Sequence, residues 1–368
     1  MVRLTLPDVE ETEKALVVAR QYETAGDWDA AMGAYKAALD ADPQSAGAAF
    51  GMGMCQLRMS RPREALQSLS LAARLDPTRF EVWRILGILA LLSGKHVQGL
   101  AFFEAARKCQ PGDEIVLSLI VVAKFYLGKF GETITALDAV PGLEDRIFAF
   151  GAIKAISLLA VGRNREAQAV ASRCTDLFPD NAQAFVLAGA VSEASGNSRA
   201  AESSMRRAYG IAPQNYEAIV GLAATLAAHG HIDESKALLH SADAIDGDRF
   251  EAPLLLAALA FQSRDMTECA KWTSIGLRFN PRQPNLVYFQ AAILAAAGDW
   301  VRAEQFLECA IALNPVHLAS QVALARVQLR RGHVDDGTDR LRYVARISPN
   351  SVQGKFASGL VHDVEQRI

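Results

Sequence analysis

Basic residues are not in excess in this chain: 38 lysines and arginines stand against 41 aspartates and glutamates, a net charge of -3. A nucleic-acid platform needs a basic face, so that class of partner is not expected. Long apolar runs are also missing. The longest, Ile115 to Leu127, is broken by Lys124 and falls short of the ~20 apolar residues that cross a bilayer, so no membrane insertion is expected. Met1 to Leu6 holds Arg3 but no apolar stretch like that of a secretory leader, and a cytoplasmic location is the expectation. Cysteines number five, with no metal-like or redox-like spacing among them. No nucleophile elbow, phosphate loop or paired-carboxylate pattern occurs, so the chain does not read as an enzyme. Aromatics make up only 7% of the residues, too few for a core built on large rings.

What the chain has instead is a period. Pro43, Pro77, Pro111, Pro179, Pro213, Pro281, Pro315 and Pro349 are separated by multiples of 34 residues, and from Thr12 to Ser351 the sequence divides into ten such blocks without insertion or deletion. A glycine stands seventeen residues before each of these prolines except Pro77 and Pro281, where Ser60 and Arg264 take its place. Blocks four and seven lack the proline but keep the glycine, at Gly128 and Gly230. Glycine accepts the positive φ that ends a helix, and proline cannot continue one, so each block reads as helix, tight turn, helix, stop. Three further places, the eighth, twentieth and twenty-seventh, hold small or modest residues in every block; Gly53, Gly87 and Gly189 are examples of the first. Small side chains there let neighbouring helices pack closely. Cys55, Cys174 and Cys269 fall at helix-packing places as small apolar residues, with Cys109 and Cys309 near the ends of second helices. His96, His229, His231 and His333 sit in or beside turns without an acidic or cysteine companion at ligand spacing, so neither a metal nor a cofactor is expected.

This pattern resembles the tetratricopeptide repeat family, a 34-residue helix–turn–helix repeat. The third block matches its signature best, with Trp83, Leu86, Gly87, Phe103 and Pro111, and Trp28 and Trp300 hold the aromatic place after the turn glycine. The resemblance implies an all-α, right-handed superhelical α-solenoid of tandem helix–turn–helix repeats. In such a fold the first helix of each pair lines a concave groove that binds other proteins, and catalysis is rare. The expected organisation is an N-terminal cap at 1–11, with Asp8 and Glu11 as a capping box, ten repeats over 12–351 as one continuous solenoid, and a capping helix at 352–368.

In this family the fifth, ninth and twelfth places of the first helix face the groove. Of these thirty places only Arg20, Glu23, Arg84, Ser118, Glu193 and Arg326 are polar. Apolar residues such as Val17, Ile85, Leu119 and Phe289 replace the asparagines common at the sixth place, so neither the clamp that holds a chaperone tail's carboxylate nor a ladder for an extended peptide is expected. The candidate partner-binding residues are Phe50, Met54, Leu57, Arg84, Ile88, Leu91, Val122, Phe125 and Ile156 in repeats two to five. In repeats six to ten they are Val186, Leu254, Phe261, Tyr288 and Arg326, over a floor with alanine at every ninth place from Ala190 to Ala292. At roughly 30 Å² for each apolar place the lining would expose roughly 700 Å², above the ~300–600 Å² of a typical monomer's largest patch. Two readings remain open: winding buries these residues between adjacent first helices, or they receive an apolar or amphipathic segment of a partner.

Local departures add expectations. Lys154 and Gln290 occupy a core place, and Lys154 is expected to snorkel along its own stem. Pro141-Gly142 should cut the fourth repeat's second helix short. Val352 to Ile368 reads as one more first helix, with Phe356 and Leu360 facing inward. Residues 1–45 carry nine acids and four bases, and residues 318–368 eight bases and five acids; such ends keep terminal repeats soluble or promote head-to-tail assembly. Arginine outnumbers lysine 28 to 10, in keeping with a GC-rich bacterial genome. The functional expectation is a non-catalytic protein-interaction scaffold or adaptor. The alternatives are a self-assembling homo-oligomer, or a regulatory or chaperone-like subunit of an enzyme or secretion complex.

Overall fold

A computed structural model describes residues 9–366, so the stretch before Val9, including Asp8 of the capping box, lies outside the described residues. These residues form helices and no strand. The chain falls into two compact units, Met1–Leu177 and Phe178–Ile368.

In the first unit α1 (Val9–Ala25) pairs with α2 (Trp28–Ala41), α3 (Ala46–Arg58) with α4 (Pro62–Leu75), and α5 (Phe80–Leu92) with α6 (His96–Cys109). Then come α7 (Glu114–Tyr126), α8 (Phe130–Asp138), the short α9 (Leu143–Arg146), α10 (Phe148–Ala160) and α11 (Asn164–Leu177). The second unit repeats the plan with α12 (Ala182–Ala194) and α13 (Ser198–Ile211), α14 (Tyr216–Ala228) and α15 (Ile232–Ile245), and α16 (Glu251–Gln262) and α17 (Met266–Phe279). It closes with α18 (Pro284–Ala296) and α19 (Trp300–Leu313), α20 (Leu318–Arg330) and α21 (Val334–Ile347), and a last helix, α22 (Val352–Glu365). Within each unit paired and successive helices pack together, with α10 packing on both α8 and α9, and first helices of neighbouring repeats also touch, as α12 does α14 and α20 does α22.

The turns form as the spacing requires. Gly26 has φ +77°; its N–H bonds the Glu23 carbonyl at 3.1 Å and the next N–H, of Asp27, reaches back to Tyr22 at 3.0 Å. These paired bonds satisfy carbonyls that the helix end leaves open. Ser60 (φ +58°) and Arg264 (φ +61°) adopt the same left-handed turn with the same two bonds, so the geometry is dictated by the packing rather than by glycine alone. Helix starts are capped by side chains at two recurring places. Asp27, Asn197, Asp265 and Asp299 cap second helices, and Ser45, Asp113, Asn181 and Asn215 cap first helices. The small places are tight: a Cβ on Gly87 would lie 2.3 Å from the Phe103 ring, and one on Gly189 would lie 2.8 Å from Met205.

Two blocks without proline find other stops. In the seventh, α16 begins with no side-chain cap, and the Tyr216 hydroxyl accepts the Ala252 N–H at 3.0 Å instead. Arg249 lies 4.0 Å over the Tyr216 ring and bonds both Glu217 and Glu251. In the fourth, α8 stops after nine residues and Gly142 turns the chain at φ +77° into α9, as Pro141-Gly142 implies. That break corrects the expectation for Lys154. Its ammonium does not snorkel; it bonds Glu144 Oε1 at 2.8 Å and Asp138 Oδ1 at 2.9 Å, and its side chain is 17% exposed. Burial alone would lower its pKa, but these two carboxylates outweigh burial and raise it. Phe356 is likewise corrected: it is 47% exposed, and Ala357 takes the buried place on α22. Leu360 does pack inward, against the Val322–Leu341 cluster.

Replacing Lys154 with methionine should lower stability by roughly 1–3 kcal/mol, because Glu144 then stays mostly buried without its counter-charge. Adding Glu144→Gln should recover part of that loss in a urea-unfolding double-mutant cycle. Arg264→Gly should gain up to about 1 kcal/mol by the same measurement, since relief of the left-handed strain exceeds the added unfolded-state entropy.

Candidate functional site

The thirty fifth, ninth and twelfth places lie on first helices, five in each unit. One of them, Val322, is buried; Arg20, Ile156, Ala190, Glu193 and Arg326 are exposed, and the other twenty-four are half-buried. The cause is geometric. A first helix is covered on one side by its second helix and flanked by other first helices, so these side chains seal the seams between neighbours with one flank and face solvent with the other.

In the first unit Phe50 and Leu57 pack on the Leu69–Leu86 cluster, Ile88 and Leu91 on the Phe103 cluster, and Val122 on the Val121–Leu137 cluster. Arg79 already covers the Phe50 ring at 4.0 Å, and Arg84 stands 5.4 Å from Phe80. Phe125 meets Tyr126 and Phe130 edge-on at 5.9 and 6.0 Å. Met54 is half-buried, and Ile156 is the most open apolar candidate here, at 41% exposure. Glu23, polar on this face, is engaged by Tyr35 and by the Cys55 thiol at 3.8 Å.

In the second unit Leu254, Phe261 and Tyr288 join one large cluster around Leu256 and Trp272, while Val186 packs with Met205 and Leu222. Phe261, Tyr288 and Phe289 form an aromatic triangle with centroids 5.3–5.7 Å apart. Here the alanine floor leaves space. A cavity of about 770 Å³ opens over Ala291, Ala292 and Ala295, walled by Phe261, Tyr288, Trp300 and Leu329 and ended by Leu360, Asp363 and Val364 of α22. Arg326 and Arg330, one turn apart on α20, stand at its edge. Burial pushes the Tyr288 phenol up in pKa, while the nearby Arg326 pulls it back.

Three candidate residues, Phe261, Tyr288 and Arg326, thus line one cavity; Leu254 shares the cluster of Phe261 and Tyr288 without lining it, and Val186 belongs to another cluster. Arg330 and the α22 wall had escaped the repeat pattern. The helical spacing of Arg326 and Arg330 was the available signal for the first. Nothing in the period marks α22 as an end wall.

The buried thiols are held in their neutral form. Burial, with Glu23 beside it, pushes the Cys55 thiol up to about 11, and burial also raises Cys174 and Cys269. No group of three potential metal ligands occurs among the described residues, and no helix among them is long and apolar enough to cross a membrane.

Models described as tetratricopeptide repeat match residues 24–89, 154–216 and 192–259. Among solved structures, the chain is similar to one in the APC/C hetero-tetramer Cut9–Hcn1, with TM-score 0.59 and 16% identity over 96% of this chain and 76% of that one. Pseudomonas aeruginosa pilF gives 0.49 and 16% over 57% and 95%, and yeast Tom70 gives 0.47 and 12% over 97% and 96%. At these identities the likeness shows the fold alone. No curated protein matches the sequence.

Native protein treated with a thiol reagent at neutral pH should release two fast equivalents, from the exposed Cys109 and Cys309, and the other three only on unfolding. A fast third thiol would show that one of the buried sites opens.

Proposed function

Because this chain is a tandem tetratricopeptide repeat protein, we propose that it is a non-catalytic scaffold whose first-helix faces bury an apolar or amphipathic segment of a partner protein. The observation that carries this reading is the state of the thirty inner places. They are mostly apolar, and all but Val322 keep part of their surface in contact with solvent. A surface that winding had sealed would show the reverse. Apolar surface that a partner covers there is worth about 25 cal/mol per Å² before ordering costs are subtracted. Continuous helical faces with apolar residues at three- and four-residue spacing suit a helix laid across them.

Recovery of bound proteins from the native host, identified by mass spectrometry, tests the proposal with two blocking variants. Ile156→Glu places a charge on an open part of the first unit's face, and Ala292→Trp fills the floor of the second unit's cavity. Both sites lie at the surface of the packing rather than within it, so thermal unfolding should move by only a few degrees. Each variant should lose at least tenfold in the recovered partner. Undiminished recovery with both would overturn the groove reading. A light-scattering series over a hundredfold concentration range separates it from self-assembly, which would appear as mass growing with concentration.

A further inference from the structure

The cavity at the α22 end of the second unit is not uniformly apolar. Its floor is alanine and its walls are Phe261, Tyr288, Trp300 and Leu360, but two guanidinium groups stand at the edge. Among the described residues neither Arg326 nor Arg330 has an ion-pair or hydrogen-bond partner; the Arg326 guanidinium lies 5.9 Å from the centre of the Phe356 ring. An acid is within reach of this helix, because the next residue, Arg331, is paired with Glu304. The two unpaired charges therefore belong to the face that looks over the cavity. They lie at i and i+4, about 6 Å apart along one helix side, which is also the spacing of two carboxylates on consecutive turns of a docked helix. The Tyr288 hydroxyl makes no hydrogen bond among the described residues and adds a donor at the same wall.

From this we infer that the cavity selects an acidic amphipathic helix: a bulky apolar side chain enters above Ala292 and Ala295, and aspartate or glutamate residues on the helix edge meet Arg326 and Arg330. Bidentate guanidinium–carboxylate pairs beside an apolar, partly desolvated floor are stronger than the same pairs in water. Among the described residues Asp363, on α22, is the one acid lining the cavity. It repels an acid placed beside it, so the acidic edge of the partner turns away from Asp363 and toward the two arginines. At about 770 Å³ the space falls within the range, about 300–1,000 Å³, of pockets that enclose most of a ligand. This inference rests on the scaffold reading and adds a charge requirement to it.

Two synthetic amphipathic helices test it against the 368-residue protein by fluorescence anisotropy. They share one leucine and phenylalanine face and differ only in carrying glutamate or lysine along its edge. The glutamate helix should bind at least tenfold more tightly in low salt, and that margin should shrink in high salt. Arg326→Gln with Arg330→Gln should erase the difference, Arg326→Glu with Arg330→Glu should invert it, and Asp363→Asn should tighten the glutamate helix a few-fold. Ala292→Trp should block both helices. Equal binding of the two helices, indifferent to Arg326→Glu and Arg330→Glu but still blocked by Ala292→Trp, would end the acidic preference and leave the scaffold reading standing. Binding of neither helix would overturn the inference whatever partner the first unit recruits. Concentration-dependent dimers that dissolve in the Arg326→Glu, Arg330→Glu variant would also overturn it, by making a second copy the occupant.

Discussion

Close approach of paired helices is the constraint from which the rest follows. Each first helix meets its second helix through residues too small to hold the backbones apart, and at Gly87 and Gly189 a single added carbon would collide with the aromatic or thioether side chain opposite. Alanine and glycine therefore do the work that large rings do elsewhere, which accounts for a chain with few aromatics and many buried alanines. The same constraint shapes the surface. When one side of a helix is spent on its partner and its flanks on the neighbouring repeats, the fourth side is left half-covered, and the side chains there are apolar because their inner flanks still seal the seams.

Much of this was legible in the sequence because it repeats. The turn glycines, the small packing places and the helix boundaries recur every 34 residues, and the substitutions at Ser60 and Arg264 keep the left-handed turn because the surrounding bonds impose it. The break after Asp138 was also readable, since proline and glycine act locally. Lys154 was misread for a connected reason. Its partners are Asp138 at the end of the shortened α8 and Glu144 in α9, so both owe their position to the break rather than to the period. A lone lysine at a core place looks the same in sequence whether it snorkels or is paired. Phe356 was misread because helical spacing ranks apolar residues by face, whereas α22 buries the small Ala357 and leaves the ring outside under Arg326.

The cavity was less legible because it depends on side-chain volume in three helices at once. In the first unit the ninth places of successive repeats carry Met54, Ile88, Val122 and Ile156, and these fill the face. In the second unit alanine stands there through Ala292, which leaves the face lower by several carbons at each turn. A low floor alone gives a shallow strip. It becomes a half-open cavity where Phe261 and Tyr288 line it together with residues of α22.

That location also decides its polarity. On the first unit's face the half-buried Glu23 has Tyr35 and Cys55 as partners, since an unpaired charge at a seam loses hydration without return. Arg326 and Arg330, without partners among the described residues, avoid that cost by remaining exposed, which is tolerable in the isolated chain. A partner that covers the cavity removes their water and must then supply carboxylates or forfeit more than the apolar contact gives. The penalty for a neutral or basic visitor thus arises from the protein's own arginines, and selectivity follows from what the site would leave unpaired as much as from what it attracts.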